Sequence, residues 1–191
     1  MAIPTRGRES GQAKPLIGDE GEESASTVER SSAETAGACY QAALKLLTYR
    51  ARAEAEMKQR LSRKGFAEAD IERTIERLKA AGLIDDAAFA KAWTENRANG
   101  SPRSAYVVKR ELRTKGIDAD TAEEAAAAID DPEAAYRAAL PRLNRLSQLP
   151  GDEARRKLAD FLRRRGFGWA VIERTISRLR EEGLSSDVDT T

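Results

Sequence analysis

Basic side chains cluster just before three glycines, where their charge could bind phosphate groups or an acidic groove of another protein. The motif recurs as LSRKGF at 61–66, LRTKGI at 112–117 and LRRRGF at 162–167. A second segment, IERTIERL at 71–78, returns almost unchanged as IERTISRL at 172–179. Recurrence at a spacing of about 50 residues indicates stacked helical repeat units.

The positive charge is concentrated in the predicted middle helix of each unit. Residues 50–65 and 103–115 each sum to +4, and residues 152–165 sum to +3. The predicted third helices sum to −1, −4 and 0 over 68–81, 117–129 and 170–182. One cation near a helix C-terminus stabilises the helix dipole by about 0.3–1 kcal/mol, which does not explain three consecutive arginines.

We therefore predict that the basic helix ends align into a stripe that contacts phosphates or an acidic protein groove. The alternative is that each charge only favours its own helix or is solvated. The candidate residues for contact with a filament or with DNA are Arg60, Arg63, Lys64, Arg103, Lys109, Arg110, Arg113, Lys115, Arg163, Arg164 and Arg165.

The composition argues against an enzyme. The chain has no histidine, and its one cysteine, Cys39, is expected to be a buried structural residue. No glycine-rich phosphate loop and no Cys- or His-based metal site is present, so we predict no catalytic residue, cofactor or metal. No run of about 18 apolar residues and no secretory signal is visible, so we expect a cytoplasmic protein without a membrane contact.

The predicted fold is all-α, with three units of three helices in a curved array. We expect units at 37–84, 85–130 and 131–184, a disordered tail of net charge −3 at 1–36, and a short tail at 185–191. The predicted helices cover 38–50, 53–64, 68–81, 86–99, 102–115, 118–129, 132–147, 152–165 and 169–182.

Several residues within the helices have predicted local roles. Ser101 and Asp131 are predicted helix caps before Pro102 and Pro132, and Asp85 or Asp86 is predicted to cap the next helix. The predicted core residues are Ile71, Ile75, Leu78, Phe89, Trp93, Ile172, Ile176 and Leu179. Phe66, Phe167 and Trp169 are also expected in the core, which leaves no aromatic platform for stacking of bases.

The segment GLIDDAAFAKAW at 82–93 resembles the signature of the RecX regulatory proteins. The flanking segments KGF at 64–66 and ELRTKGI at 111–117 fit the same family in order and spacing. The resemblance covers roughly 40–184 and is strongest at 57–117. Where the family commonly has a capping box, Ser-x-x-Glu-Leu, this chain has Ala53, Glu56 and Met57.

This resemblance implies a regulator that lies in the groove of a RecA filament. It would limit filament growth and inhibit the recombinase, ATPase and coprotease activities, contacting single- or double-stranded DNA directly or through the filament. We expect a monomer. A helix-turn-helix-like DNA-binding module without a recombinase partner is the main alternative, and a passive scaffold, in which Arg113, Lys115, Arg163 and Arg165 are neutral, is the second.

Overall fold

The computed structural model describes residues 21–146 and 148–188, with side chains described for 34–146 and 148–182. No described residue forms a strand, which confirms the all-α prediction. The α-helices are α1 Gly21–Leu47, α2 Glu54–Ser62, α3 Glu68–Ala80, α4 Asp86–Gly100, α5 Ala105–Thr114, α6 Ala119–Ala127, α7 Asp131–Ala139, α8 Leu143–Leu146, α9 Gly151–Arg164 and α10 Trp169–Val188. Unit 1 contains α1 to α3, unit 2 contains α4 to α6, and unit 3 contains α7 to α10.

Three of the predicted helices differ most from the structure. Helix α1 begins at Gly21, inside the predicted tail, because the Ala- and Glu-containing segment can extend a helix that is anchored further along the chain. Helix α10 continues to Val188, and residues 1–20 and 189–191 of the two predicted tails lie outside the described residues. The predicted helix at 132–147 is interrupted by a 3-10 turn, Leu140–Arg142, because Pro141 cannot continue an α-helix.

Each unit buries its own apolar cluster between its helices. Ile71, Ile75 and Leu78 of α3 are at most 4% exposed and pack with Cys39 in unit 1. In unit 3, Ile172 and Ile176 occupy the repeated positions and pack with Phe167, Leu158 and Leu162. Phe89 packs in unit 2 with Trp93 at the edge of the cluster. The helical periodicity therefore predicted the core correctly.

Trp169 is a correction to the predicted core, since 65% of its surface is exposed. It is the first residue of α10, and the repeat places it opposite Glu68 and Ala119, which are also exposed. The first turn of each third helix therefore extends past the edge of the core, and a large apolar side chain there remains in solvent.

Two glycine turns join the units. Gly116 of the LRTKGI motif, which follows α5, has φ +87°, and a Cβ added to it would lie 2.2 Å from Ala55 Cβ of α2. Gly166 of the LRRRGF motif, which follows α9, has φ +89°, and a Cβ added to it would lie 2.2 Å from Val107 Cγ2 of α5. We call the Gly116–Ala55 contact between units 1 and 2 the first seam, and the Gly166–Val107 contact between units 2 and 3 the second seam. Both seams need glycine, because the backbone of the turn lies too close to the Ala55 or Val107 side chain to carry a side chain of its own.

Paired aspartates reinforce each seam. Asp85 caps its own helix α4 by accepting a hydrogen bond from Ala88 N at 2.9 Å, as the sequence predicts. Asp86 instead accepts from Glu54 N of α2 at 2.8 Å, so it caps the helix of the preceding unit. This interaction replaces the missing serine cap, because Ala53 offers no side-chain acceptor.

Two predicted helix caps, Asp131 and Ser101, are wrong. At the second seam, as at the first, one aspartate caps its own helix and the next aspartate caps a helix of the preceding unit. Asp130 caps α7 through Glu133 N, while Asp131 accepts from Ala105 N of α5 at 2.7 Å. Ser104, not Ser101, caps α5 through Val107 N, because residues 101–104 first cross the second seam. There Ser104 N donates to Arg165 O at 3.2 Å. The sequence pattern identified the aspartates and serines but not the unit that each one stabilises.

We predict that Gly166→Ala destabilises the protein more than Gly65→Ala does. Gly65 has nearly the same φ, +88°, but an added Cβ there meets nothing within 4 Å. Gly65→Ala therefore measures only the backbone strain, about 1–2 kcal/mol. Gly166→Ala adds the clash with Val107, and we expect a further loss of about 1–3 kcal/mol. Urea unfolding followed by circular dichroism measures the difference, and equal losses would mean that the second seam does not need the close approach.

Candidate functional site

An open cavity of about 460 Å³ lies at the first seam. Helix α2 forms one wall, and the C-terminal end of α5 forms the other. Four of the predicted contact residues line this cavity together with Arg50, namely Arg60, Arg63, Arg113 and Lys115. The stacking of the units therefore brings basic residues from two different repeats to one concave surface, which suits an anionic group.

Glu56 is a carboxylate that lines this cavity. It pairs with Arg50 at 2.6 Å, with Arg60 at 2.9 Å and with the buried Arg52. Burial opposes ionisation of Glu56, but the hydrogen bonds and charges of these arginines outweigh it and lower its pKa to about 2. One carboxylate cannot neutralise three guanidinium charges, so this wall of the cavity keeps a net positive charge.

Lys115 is positioned by an aromatic cluster in unit 2. Its Nζ lies 4.0 Å from the centroid of the Trp93 ring, within the range of a cation–π interaction. Trp93 Nε1 donates to Glu111 Oε2 at 2.9 Å, and the same carboxylate oxygen pairs with Arg97 at 2.7 Å. Trp93 is therefore a packing residue, as predicted, and it also orients a basic residue of the cavity.

At the second seam, Arg165 has a structural role. Its Nη1 donates to Ser101 Oγ at 3.1 Å and to Pro102 O at 2.8 Å. Its guanidinium group also lies over the ring of Phe161, at 4.5 Å. Burial, and then the charges of Arg103 and Arg142, lower the pKa of Arg165. Replacing Arg165 would therefore disturb the seam itself.

The structure divides the predicted contact residues into two groups. Within the described part of the chain, four form ion pairs with nearby carboxylates, and their charge is partly compensated: Arg60, Arg103, Lys109 and Arg163. The other seven form no ion pair in that part: Arg63, Lys64, Arg110, Arg113, Lys115, Arg164 and Arg165. Sequence reasoning missed Arg50, which lines the first-seam cavity but lies outside the basic helix ends.

Tyr106 of α5, which the sequence patterns did not single out, is 68% exposed. It lies four and seven residues before Arg110 and Arg113, so the three residues share one side of the helix.

No group of three or more potential metal-ligating residues occurs among the described residues. In the same part of the chain, no helix is both long and apolar enough to cross a membrane.

Comparison with known proteins gives three consecutive family matches. Residues 39–78, 85–125 and 129–176 match the first, second and third three-helix domains of RecX. This chain belongs to the RecX family. The three matched segments correspond to the three units joined by the two seams.

Similar proteins support the same RecX assignment. Regulatory protein RecX of Chlorobaculum tepidum is 36% identical over 76% of this chain and 91% of its own length. The RecX of Amycolatopsis mediterranei is 36% identical over 74% of this chain and 83% of its own. The crystal structure of RecX from Lactobacillus salivarius has a TM-score of 0.68 and 28% identity, covering 78% of this chain and 98% of that one.

We predict that Glu56→Gln lowers the free energy of unfolding by about 1–3 kcal/mol at neutral pH, because the buried Arg52 loses its charged partner. The lowered pKa means that ionised Glu56 stabilises the fold above its unfolded value near 4.5, and that this stability is lost as the pH falls toward 2. The loss caused by the substitution should therefore shrink between pH 4.5 and 2.

Urea unfolding at several pH values measures this effect. Glu124→Gln is the matched control, since Glu124 is exposed and forms no ion pair among the described residues. A loss for Glu56→Gln that stays constant down to pH 2 would contradict the assigned role of the ionised carboxylate.

Proposed function

We propose that this protein binds RecA–DNA filaments and inhibits their recombinase, ATPase and coprotease activities, and so modulates recombinational DNA repair. It acts as a cytoplasmic monomer and is not an enzyme. Membership of the RecX family supports a regulatory role. The observation that carries the proposal is the cavity of the first seam, where basic residues of two units face the solvent together.

A repeat array is physically suited to a filament. A filament presents the same surface at regular intervals, and an array of similar units can meet several of these surfaces at once. Binding across neighbouring subunits gains affinity from multivalency without a strong individual contact. Partly exposed arginines at each seam would then supply attachment that is sensitive to salt.

The packing of the basic helices supports this function over a helix-turn-helix module that acts alone. The C-terminal turns of α5 and α9 lie against the preceding unit at Ala55 and Val107. A recognition helix in a major groove must present several side chains to base edges along an open face. Here the turns that end the two helices pack on the preceding unit, and the basic side chains of the first seam face a cavity shared by two units, which favours a concave binding surface over a projecting helix.

The test titrates the purified protein into RecA assembled on single-stranded DNA and follows ATP hydrolysis. We expect hydrolysis to fall at sub-stoichiometric protein. The variant Arg63→Ala/Arg113→Ala should need roughly tenfold more protein, because two charged contacts together contribute about 1.4 kcal/mol. Its inhibition should also depend less on salt. The matched control is Lys91→Ala/Arg174→Ala, which removes two exposed cations that form no ion pair in the described part of the chain.

Absence of inhibition by the helical wild-type protein up to equimolar amounts would contradict the function itself. Inhibition by the double variant equal to that of the wild type would instead contradict only the role of the first-seam cavity. Arg165 is left unchanged in this design because its hydrogen bonds hold the second seam together.

A further inference from the structure

The two seams are built alike, but they are held together unequally. At the first seam Asp86 accepts a hydrogen bond from Glu54 N at 2.8 Å, and at the second seam Asp131 accepts one from Ala105 N at 2.7 Å. Among the residues whose side chains are described, no other hydrogen bond crosses the first seam, whereas three others cross the second. We propose that the first seam is a hinge, about which unit 1 rotates relative to a single body formed by units 2 and 3.

Arg165 supplies the additional hydrogen bonds of the second seam. Its backbone carbonyl accepts from Ser104 N at 3.2 Å, and its Nη1 donates to Ser101 Oγ at 3.1 Å and to Pro102 O at 2.8 Å. A single hydrogen bond permits rotation about its own axis, but bonds between several pairs of atoms do not. The second seam therefore fixes the orientation of unit 3 on unit 2, whereas the bond at the first seam acts as a pivot.

The apolar packing differs between the seams in the same way. Each pair of aspartates follows an isoleucine, because the sequence IDD recurs at 84–86 and 129–131. Ile84 packs in the cluster of unit 1, whereas Ile129 packs against the clusters of both unit 2 and unit 3. Rotation at the second seam would therefore expose apolar surface of two cores, which is unfavourable. Rotation at the first seam leaves Ile84 in its own core.

Alanines make the apolar contact across the first seam. Among the described residues that are buried in the cluster of unit 2, Ala53 is the one that comes from unit 1, and Ala55 is the side chain that Gly116 approaches. The second seam instead places Gly166 against the larger side chain of Val107. A single methyl group cannot interlock with its neighbours, so turning it within its contact gives up little buried surface. The first seam can thus keep its contact points while the units rotate.

The hinge controls the shape of the first-seam cavity. Arg63 follows α2 and Arg113 lies at the end of α5, so the basic residues on the two walls belong to the two bodies. Rotation changes the distance between these charges without unfolding a helix, and a partner that contacts both walls would hold the units in one orientation. The motion is a property of the isolated protein, so this inference goes beyond the proposed function and does not depend on it.

Spin labels at equivalent positions of the three units test the hinge. Ala69, Asp120 and Ala170 are each the second residue of the third helix of a unit, and all three are exposed. The full-length double variants Ala69→Cys/Asp120→Cys and Asp120→Cys/Ala170→Cys place one pair of labels across the first seam and one across the second. The native Cys39 is buried, and exposing the wild type to the label checks that it does not react.

Double electron–electron resonance measures the distribution of distances within each pair of labels. We expect the distribution across the first seam to be about twice as wide as that across the second, because only unit 1 changes its orientation. The labels occupy equivalent helical positions, so their own flexibility contributes similarly to both widths.

Variants of the two aspartates separate the hinge from general loosening of the fold. Asp86→Ala removes the hydrogen bond at the first seam and should widen only the distribution across that seam. Asp86→Asn keeps an acceptor oxygen and should match the wild type. Asp131→Ala is the matched control at the second seam, and it should widen the distribution there less, because the bonds of Arg165 remain. Circular dichroism checks that each variant is helical.

Two results would overturn the proposal. One is a distribution across the first seam that is no wider than that across the second in the wild-type background. The other is an equal response of the two seams to Asp86→Ala and Asp131→Ala. Because these measurements contain no recombinase and no DNA, their result is independent of the ATPase titration.

Discussion

The close approach of a glycine turn to the preceding unit is the constraint on which the rest of this structure depends. At Gly116 and Gly166 the backbone lies where a Cβ would clash with Ala55 or Val107, so each turn can pack directly on the next helix. Since each turn also ends a basic helix, the same contact decides where the positive charge is placed. The cavity at the first seam is therefore a result of repeat packing, and no single unit contains all of its walls.

The third unit departs from the repeat at the start of α9. Alignment of the LRTKGI and LRRRGF motifs places Ser104 opposite Ala154, yet α9 begins at Gly151, about one turn earlier than α5 does. In α5, Asp131 of the next unit caps the first turn through Ala105 N. In α9 the additional turn precedes the equivalent position, so the two helices begin differently although the turns that end them match.

Properties that depend on one unit could be predicted from the sequence, and properties that depend on two units could not. The periodicity of Ile71, Ile75 and Leu78 identified a helix face, and Asp85 was identified as a cap, because both depend on neighbours within about one or two turns. Asp131 was assigned to its own helix but caps α5, which lies 26 residues earlier in the chain. Sequence spacing carries no information about such a partner, and the same limit explains the error at Ser101.

The candidate site also depends on contacts between units that the sequence does not reveal. For this reason the positions of the charges in the sequence are an incomplete guide to function. Arg163, Arg164 and Arg165 look equivalent in the sequence, but Arg163 pairs with Asp160 and Arg165 holds the second seam. Among the residues that the structure describes, Arg164 forms no ion pair or side-chain hydrogen bond, and neither does Arg63 at the first seam. A cation that is already bonded within the protein must exchange that bond for one to a new partner, so it gains less binding free energy. An unpaired cation has no such bond to lose. The residues best placed to bind an anionic partner are therefore those that the seams position but do not use.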